Sequence, residues 1–527
     1  MAEPKNRMTI AIYDTTLRDG AQAQGVSFSL EDKLLIAHKL DDLGVDYIEG
    51  GYPLSNPKDE AFFEEITQTK LEHAKLAAFG MTRRKDSSVE DDIGINVLVK
   101  SKAPVITIVG KADEFQIKKV LSASLADNLK MVADSVRYCR KRGREVIFDA
   151  EHFFDGYKRN PRTAMEIVQA AAEAGATTVC LCDTNGGSLV DEVHQIVADV
   201  CQALGNQVVI GFHGHNDSNL AVANSLAAVK AGARHVQGTI NGIGERCGNA
   251  DLTSIIPNLA LKLGCKVLTE PSHLQKITEV SRYVYEVANL NLPENQPFVG
   301  LAAFAHKGGM HVHAILKDTK SYEHISPETV GNTRKILVSE LSGASNVVAK
   351  SAIMQQLQDK ALVKKVLTAI EDLENQGYQF EVADASFHLL VLKILGKYKP
   401  LFDLEHYRVV ILKRNQDDTS TEAIVKLTVS GHHEHQVAEG DGPVNALDAA
   451  LRKALLPYFP EIGEMKLVDY KVRVINSRAG TAAKVRVIIE SRDGQELWGT
   501  IGVSENIIDA SWKALVDAIE YKLLKDK

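Results

Sequence analysis

The chain has 527 residues, of which 45% are hydrophobic and 25% charged, with a formal net charge of −8. That length exceeds one ordinary core, so a barrel-sized unit with one or two further units is expected. The acidic balance lacks the basic stripe that a nucleic-acid or anionic-membrane partner needs, and no apolar run approaches the ~20 residues of a membrane span. The start, MAEPKNRMTIAIYD, shows no long apolar region of the secretory kind, and the six cysteines form no CxxC pair. Both features predict a reduced, cytoplasmic protein with no nucleic-acid and no membrane partner.

From about residue 9 to 263 one phrase repeats: a short β-branched or apolar run ends in polar residues and an amphipathic stretch follows. The runs are TIAIYD (9–14), VDYIEG (45–50), AKLAAFG (74–80), VITIVG (105–110), EVIFDAE (145–151), TTVCLCD (177–183), VVIGFHGH (208–215) and HVQGTING (235–242). Between them, SLEDKLLIAHKLDDLG, NPRTAMEIVQAAAEAG and DSNLAVANSLAAVKAG place apolar residues three and four apart and close on Gly, which reads as helix. Eight such units predict an α/β fold, a (β/α)8 TIM barrel, in preference to an open doubly wound sheet.

Beyond residue 264 the rhythm stops. Residues 273–291 and 345–375 read as helices, and Gly308-Gly309-Met310-His311 lies between them in a stretch expected to act as a lid. From about 380 the runs YRVVILKR, AIVKLTVSG, YKVRVINS and AKVRVIIES read as strands accompanied by two helices. Asn445-Ala-Leu-Asp448-Ala-Ala-Leu and Asn506-Ile-Ile-Asp509-Ala-Ser-Trp echo one another, suggesting two βββα-like halves. The expected domains are a catalytic barrel over 1–272, helical linker subdomains over 273–378, and a C-terminal α+β domain over 379–527.

In a TIM barrel the chemistry sits where strands end and βα loops begin. Strand one runs into Asp14-Thr-Thr-Leu-Arg18-Asp19-Gly20, strand two ends at Glu49-Gly-Gly-Tyr52, and strand five ends at Glu151-His152. Strand six ends at Asp183-Thr184-Asn185, strand seven at His213-Gly-His215-Asn216, and strand eight leads into GIGERCGN, which ends at Asn249. His213 and His215 are two apart on a strand, so both leave the same face. An HxH pair alone is as readily core or surface. With Asp19 opening the same mouth, it reads as two imidazoles and a carboxylate around a metal, and Asn249 adds an oxygen ligand directly or through water. Arg18 beside that site suits anionic oxygens arriving there; its bland role is a structural ion pair. GIGERCGN lacks the third glycine of a dinucleotide loop and follows the wrong strand, so a nucleotide reading is rejected. Cys247 reads as a loop filler and Cys180 with Cys182 as core. The Arg83-Arg84-Lys85 run is either a solvated face or a contact for phosphates, and His152 either supports the site or packs. From strand positions, Phe79, Met81, Ile108 and Phe148 are expected to line the substrate pocket.

Taken together, DTTLRDGAQ, HGHND and GIGERCGN resemble the metal-dependent barrel acyltransferases and lyases. That family comprises the α-isopropylmalate, homocitrate and citramalate synthases and hydroxymethylglutaryl-CoA lyase. Within it, IEGGYPLSNPKDEAFF, FDAEHFFDGYKRNP and FAHKGGMHVHAILKD are similar to the citramalate synthases, although Tyr52 stands where a GGWP-type sequence has Trp. The resemblance implies a divalent metal (Mn2+, Mg2+ or Zn2+) on Asp19, His213, His215 and Asn249. It also implies catalytic roles for Arg18, Glu151 and His311, and substrate contacts for Arg18, Gln22 and Thr184. Acetyl-CoA and pyruvate are the implied substrates, with 2-oxoisovalerate in place of pyruvate as the runner-up. GDGPVNALDAAL resembles the regulatory domain of the same synthases, which implies a homodimer and isoleucine as effector. A non-catalytic sensor on the same barrel is expected to lose Arg18, Asp19 or a histidine, and all are present.

Overall fold

Eight parallel strands close into a barrel, paired in chain order with the last returning to the first. They are β1 (Ala11–Asp14), β2 (Tyr47–Gly51), β3 (Lys75–Met81), β4 (Val105–Lys111), β5 (Glu145–Glu151), β6 (Thr178–Asp183), β7 (Val209–Gly214) and β8 (His235–Gly238). The computed structural model describes residues 7–337, 360–413, 419–475, 483–494 and 496–525. The chain divides into two compact units, Met1–Phe304 with Ile325–Thr333, and Ala305–His324 with Arg334–Lys527.

The helices between strands begin and end where local chemistry dictates. Helix Leu30–Leu43 opens on a capping box of Ser29 and Asp32 and stops at Gly44, whose φ of 86° is left-handed. Helix Pro161–Glu173 starts with Pro in its first turn behind an Asn160 cap. Their apolar faces cover the outside of the barrel, where Ile36, Leu40, Ile167 and Val168 are fully buried with Ile108, Phe148 and Phe212. Helix Ile277–Val287 joins the same layer through Ile277, Val280 and Val284. The barrel's unit therefore runs on past residue 272, the boundary expected from the sequence.

Inside the barrel the layers differ. Tyr13, Ala77, Val105 and Ile147 form a small apolar cluster with Tyr47 against it. The His235 ring stands 5.3 Å from that of Tyr13 and 5.6 Å from that of Tyr47. Above them the interior turns polar, with Glu49, Thr107, Asp149 and Gln237 all buried.

The second unit has a short parallel pair, β9 (Ala305–His306) and β10 (Lys335–Ile336), and helices Lys360–Asn375 and Asp384–Ile394. Residues 345–359 of the expected second helix lie outside the described residues. Two antiparallel sheets follow. β11 (Phe402–Leu412), β12 (Ser420–Val429) and β13 (His432–Gly440) precede helix Pro443–Leu455; β14 (Lys466–Val474), β15 (Val485–Arg492) and β16 (Leu497–Ser504) precede helix Ile507–Leu524. The two βββα halves suggested by the echo of Asn445 and Asn506 are both present, with β13 and β16 added to the strands read from the sequence. Among the described residues no helix is long and apolar enough to cross a membrane, and all six cysteines are free.

Burial holds the His235 imidazole near a pKa of about 3, with the neighbouring His213 acting in the same direction. A base whose folded pKa is depressed contributes stability above its unfolded pKa near 6.5, and that stability is lost as pH falls toward the folded value. His235→Phe keeps a ring between the tyrosines but takes no proton. Its acid limb between pH 6.5 and 3 is expected to be shallower than wild type by about 1.4 kcal/mol per pH unit. Urea unfolding of both proteins across that range measures the difference, and parallel limbs would contradict it.

Candidate active site

Asp19, His213, His215 and Asn249 meet at the C-terminal mouth of the barrel. His213 and His215 turn their Nε2 atoms toward each other, 3.4 Å apart. Asp19 Oδ2 lies 3.7 Å from His213 Nε2. Asn249 Nδ2 is 3.3 Å from Asp19 Oδ2 and 3.4 Å from His213 Nε2. Backbone pairing sets this geometry. His215 and Asn249 form an antiparallel bridge, Ala250 N–H donates to Gly214 O at 2.8 Å, and Asn216 N–H donates to Gly248 O at 2.9 Å. The GIGERCGN loop is thereby folded back onto the end of β7. Gly248, at φ 90°, and Gly244, where a Cβ would overlap Asn249 Oδ1, leave room for that return.

These residues fit a divalent cation on their own chemistry. The Asn249 carboxamide turns Nδ2 toward Asp19 and His213, and its buried Oδ1, against Gly244, has no hydrogen-bond partner, so a turn of the amide would offer a free acceptor to the cluster. Burial keeps both imidazoles neutral, His213 below its ordinary pKa and His215 at about 3, which leaves lone pairs for a ligand. Burial alone would raise the Asp19 pKa, but Arg18 and the two histidines hold it below the usual carboxylate value. Two neutral imidazoles, one carboxylate and a carboxamide are donor types that suit a divalent cation.

Arg18 is tightly fixed. Its guanidinium pairs with Asp19 and Glu49 and lies 3.9 Å above the centre of the Phe79 ring. Glu49 is fully buried and also accepts from Tyr13 O–H at 2.6 Å, and that tyrosine oxygen lies 2.7 Å from Thr107 Oγ1. Burial raises the Glu49 pKa against the pull of Arg18. Asp149 next to this group is pushed up to about 8, by burial first and by Glu49 second. Glu49 stood among the strand-end residues read from the sequence, but Asp149 and Gln237 did not. Asp149 carried a signal, since it stands two before Glu151 on the inward face of β5.

Glu151 is paired with Lys111 across β4 and β5, a partner the sequence reading missed. Thr184 Oγ1 accepts from the His152 backbone N–H at 2.8 Å, so its own proton is free to donate. His152 has a φ of 60° at the start of helix Phe153–Arg159. Gln22 shares with Arg18, Phe28, Lys33, Tyr52 and Phe79 a cavity of about 310 Å³. Met81 lines a separate cavity of about 330 Å³ with Arg84 and Lys85. Arg83 is structural: it is buried on Asp134 and donates to three carbonyls of its own loop. Ile108 and Phe148 do not line the pocket. They face the outer helical layer, and the inward positions beside them are Thr107 and Asp149. Cys247 is exposed, and Cys180 and Cys182 are buried. His311 belongs to the second unit, exposed on helix Gly309–Lys317 and stacked on Tyr322 with ring centroids 4.1 Å apart. In the same unit Glu323 takes both Arg334 nitrogens, at 2.6 and 2.7 Å, and His306 at 3.1 Å.

Residues 9–284, which hold the closed barrel and its mouth, match the HMGL-like family. Residues 298–378 match the homocitrate synthase post-HMGL domain-like family, and residues 381–523 match the LeuA allosteric (dimerisation) domain. The chain belongs to the HMGL-like family, in the branch that carries these two added domains. It is 53% identical over 521 residues to the (R)-citramalate synthase of Aquifex aeolicus, with 98% of each chain covered. To the (R)-citramalate synthase of Geobacter sulfurreducens it is 49% identical over 521 residues, again with 98% of each covered. A probable 2-isopropylmalate synthase of Methanosarcina acetivorans is 30% identical over 534 residues, covering 100% of this chain and 98% of that one.

Asn249 Oδ1 lies against bare Gly244, so a Cβ there would displace the carboxamide. Gly244→Ala is therefore expected to weaken Mn2+ binding on the order of 10–100-fold, measured by electron paramagnetic resonance of free Mn2+, with far-UV circular dichroism unchanged. Unaltered Mn2+ affinity would remove Asn249 from the ligand set.

Proposed function

We propose that the protein condenses acetyl-CoA with pyruvate, giving (R)-citramalate and free CoA. The observation that carries this reading is a barrel mouth holding Arg18, Asp19, His213, His215 and Asn249 together, in a chain similar along its length to (R)-citramalate synthases.

A divalent cation (Mn2+, Mg2+ or Zn2+) on Asp19, His213, His215 and Asn249 supplies Lewis-acid polarisation of the keto acid. Arg18 holds the negative charge that grows on the C2 oxygen. Because Asp19, Glu49 and the Phe79 face already fix it, no reorganisation is needed as the charge develops. Thr184 donates to the keto acid carboxylate, and Gln22 lines the cavity on the Arg18 side. Glu151 or His311 takes a proton from the acetyl methyl, and the enolate carbon forms the new bond to C2. Water then cleaves the thioester, so the carboxylate and CoA thiol leave and the reaction runs one way.

The C-terminal domain is proposed to pair two chains and to take isoleucine as effector. Support comes from its likeness to the LeuA allosteric (dimerisation) domain and from apolar side chains left exposed on β14, Val468, Val472 and Val474. The six free thiols fit a cytoplasmic enzyme.

CoA-thiol release from acetyl-CoA is expected with pyruvate, to be abolished by a chelator and to be restored by Mn2+ or Mg2+. Preference for 2-oxoisovalerate would instead assign an α-isopropylmalate synthase, and no release with any 2-oxo acid would overturn the synthase reading. Arg18→Gln should lower kcat by roughly 10²–10³-fold while metal content is retained. Comparing Glu151→Gln with His311→Ala identifies the base: its loss removes turnover, whereas loss of the other residue leaves most of it. Isoleucine at millimolar concentration is expected to slow release by the full-length dimer. A monomer in sedimentation, or full activity with isoleucine present, would refute the regulatory part.

A further inference from the structure

His213 can offer Nε2 to a cation only if its ring proton sits on Nδ1. That nitrogen lies 2.9 Å from Gln237 Oε1, an atom that only accepts, so the contact requires Nδ1–H. The orientation of the Gln237 amide is set from its far side. Gln237 Nε2 donates to Asp149 Oδ1 at 2.9 Å and lies 3.4 Å from His235 Nε2. Reversing the amide would set Oε1 against Asp149 Oδ1, a contact that needs the Asp149 proton on that oxygen, and would turn an N–H toward His213 Nδ1. The ring proton would then move to Nε2 and point at Asp19 and His215, where a cation has to sit. Gln237 has 0% exposure, Asp149 3% and His213 6%, so bulk water does not relieve a wrong orientation. Asp149 is on β5 and Gln237 on β8, so the contact spans the barrel interior between strands that are not neighbours.

We propose that Asp149 and Gln237 act in series as positioning residues that hold His213 in the tautomer able to ligate a divalent cation. This rests on the metal reading of the site given above. Neither residue touches substrate or cation; Asp149 orients the amide, and the amide orients the histidine. The pairing also accounts for a neutral amide at position 237, since Gln presents an acceptor to one neighbour and donors to the other.

Co2+ is the probe, because its d–d spectrum reports coordination directly and its affinity can be measured against a chromogenic chelator without turnover. Gln237→Met removes the acceptor at near-constant volume, and Asp149→Leu removes the group that orients the amide. Each is expected to weaken Co2+ binding on the order of 10–100-fold and to alter the d–d bands. Asp149→Asn can still accept from Gln237 and is expected to stay within about threefold of wild type, a rescue that generic loss of packing does not produce. The double variant Asp149→Leu/Gln237→Met should bind no more weakly than Gln237→Met alone, because the two act through one contact. Wild-type affinity and spectrum in Gln237→Met, or additive losses in the double variant, would overturn the proposal. Should Gln237→Met not fold, the contrast between Asp149→Leu and Asp149→Asn decides: equal affinities refute the series. Wild-type protein that takes up no Co2+ sinks the metal reading itself, an outcome separate from variants that match a Co2+-binding wild type.

Discussion

Arg18 places one positive charge among carboxylates buried at the top of a barrel, and the mouth is organised around that charge. Without it, Asp19, Glu49 and Asp149 would stand close together with little solvent, and burial would drive protons onto them. The guanidinium divides the group. Asp19 is pulled below its ordinary pKa, Glu49 is held by Arg18 and Tyr13, and burial pushes Asp149, paired to Gln237, up to about 8. A dication requires an ionised Asp19, so the metal reading depends on this division. Phe79 beneath the guanidinium closes the remaining direction, and Arg18 is left facing the cavity it shares with Gln22.

Barrel closure is what brings these groups together. Arg18 and Asp19 follow β1, Glu49 lies in β2 two residues before its end, Glu151 ends β5, and the histidines stand at the end of β7. Parallel strands put every one of those ends at one rim. The lower interior is aromatic and aliphatic around Tyr13, Tyr47 and His235, which gives the polar layer a rigid floor. The polar layer is nearly self-satisfied: Tyr13 serves Glu49 and Thr107, and Gln237 serves Asp149 and His213. Unpartnered atoms remain at Asn249 Oδ1 and His215 Nδ1. Both belong to residues at the rim, though His215 faces the cluster through its other nitrogen, Nε2.

Much of this was legible in the sequence. The eight strands appear in order because each is a continuous apolar run, as strands buried on both faces must be. Continuity also hides parity. Ile108 and Phe148 look as suitable for a pocket as Thr107 and Asp149, and only the last carries a charge that marks the inward side. In β7 the HxH spacing declares the inward face, and the metal cluster could be assembled from it. Lys111 and Gln237 gave no comparable signal, since each is identified by a partner on another strand. In the second unit, β13 reads HHEHQVAEG along a sheet edge, with exposed and half-buried positions alternating and too few apolar residues to announce a strand. β16 is weakened as a pattern by Gly499 and Gly502. A Cβ at either position would overlap a neighbouring backbone carbonyl, of Val382 or Ala510, so close packing there removed the side chains that mark strands elsewhere.

The charge balance of the mouth bears on the chemistry proposed for it. Arg18 is paired with Asp19 and Glu49, and both Glu49 oxygens accept from donors, while burial pushes the Asp149 pKa up to about 8. In the proposed reaction a divalent cation and a keto acid monoanion would enter beside that pairing. The charge that then appears on the C2 oxygen during carbon–carbon bond formation is uncompensated in the ground state. Arg18 is fixed before that charge exists, so its attraction favours the transition state over the bound reactants, which is the condition for an interaction to raise turnover as well as tighten binding.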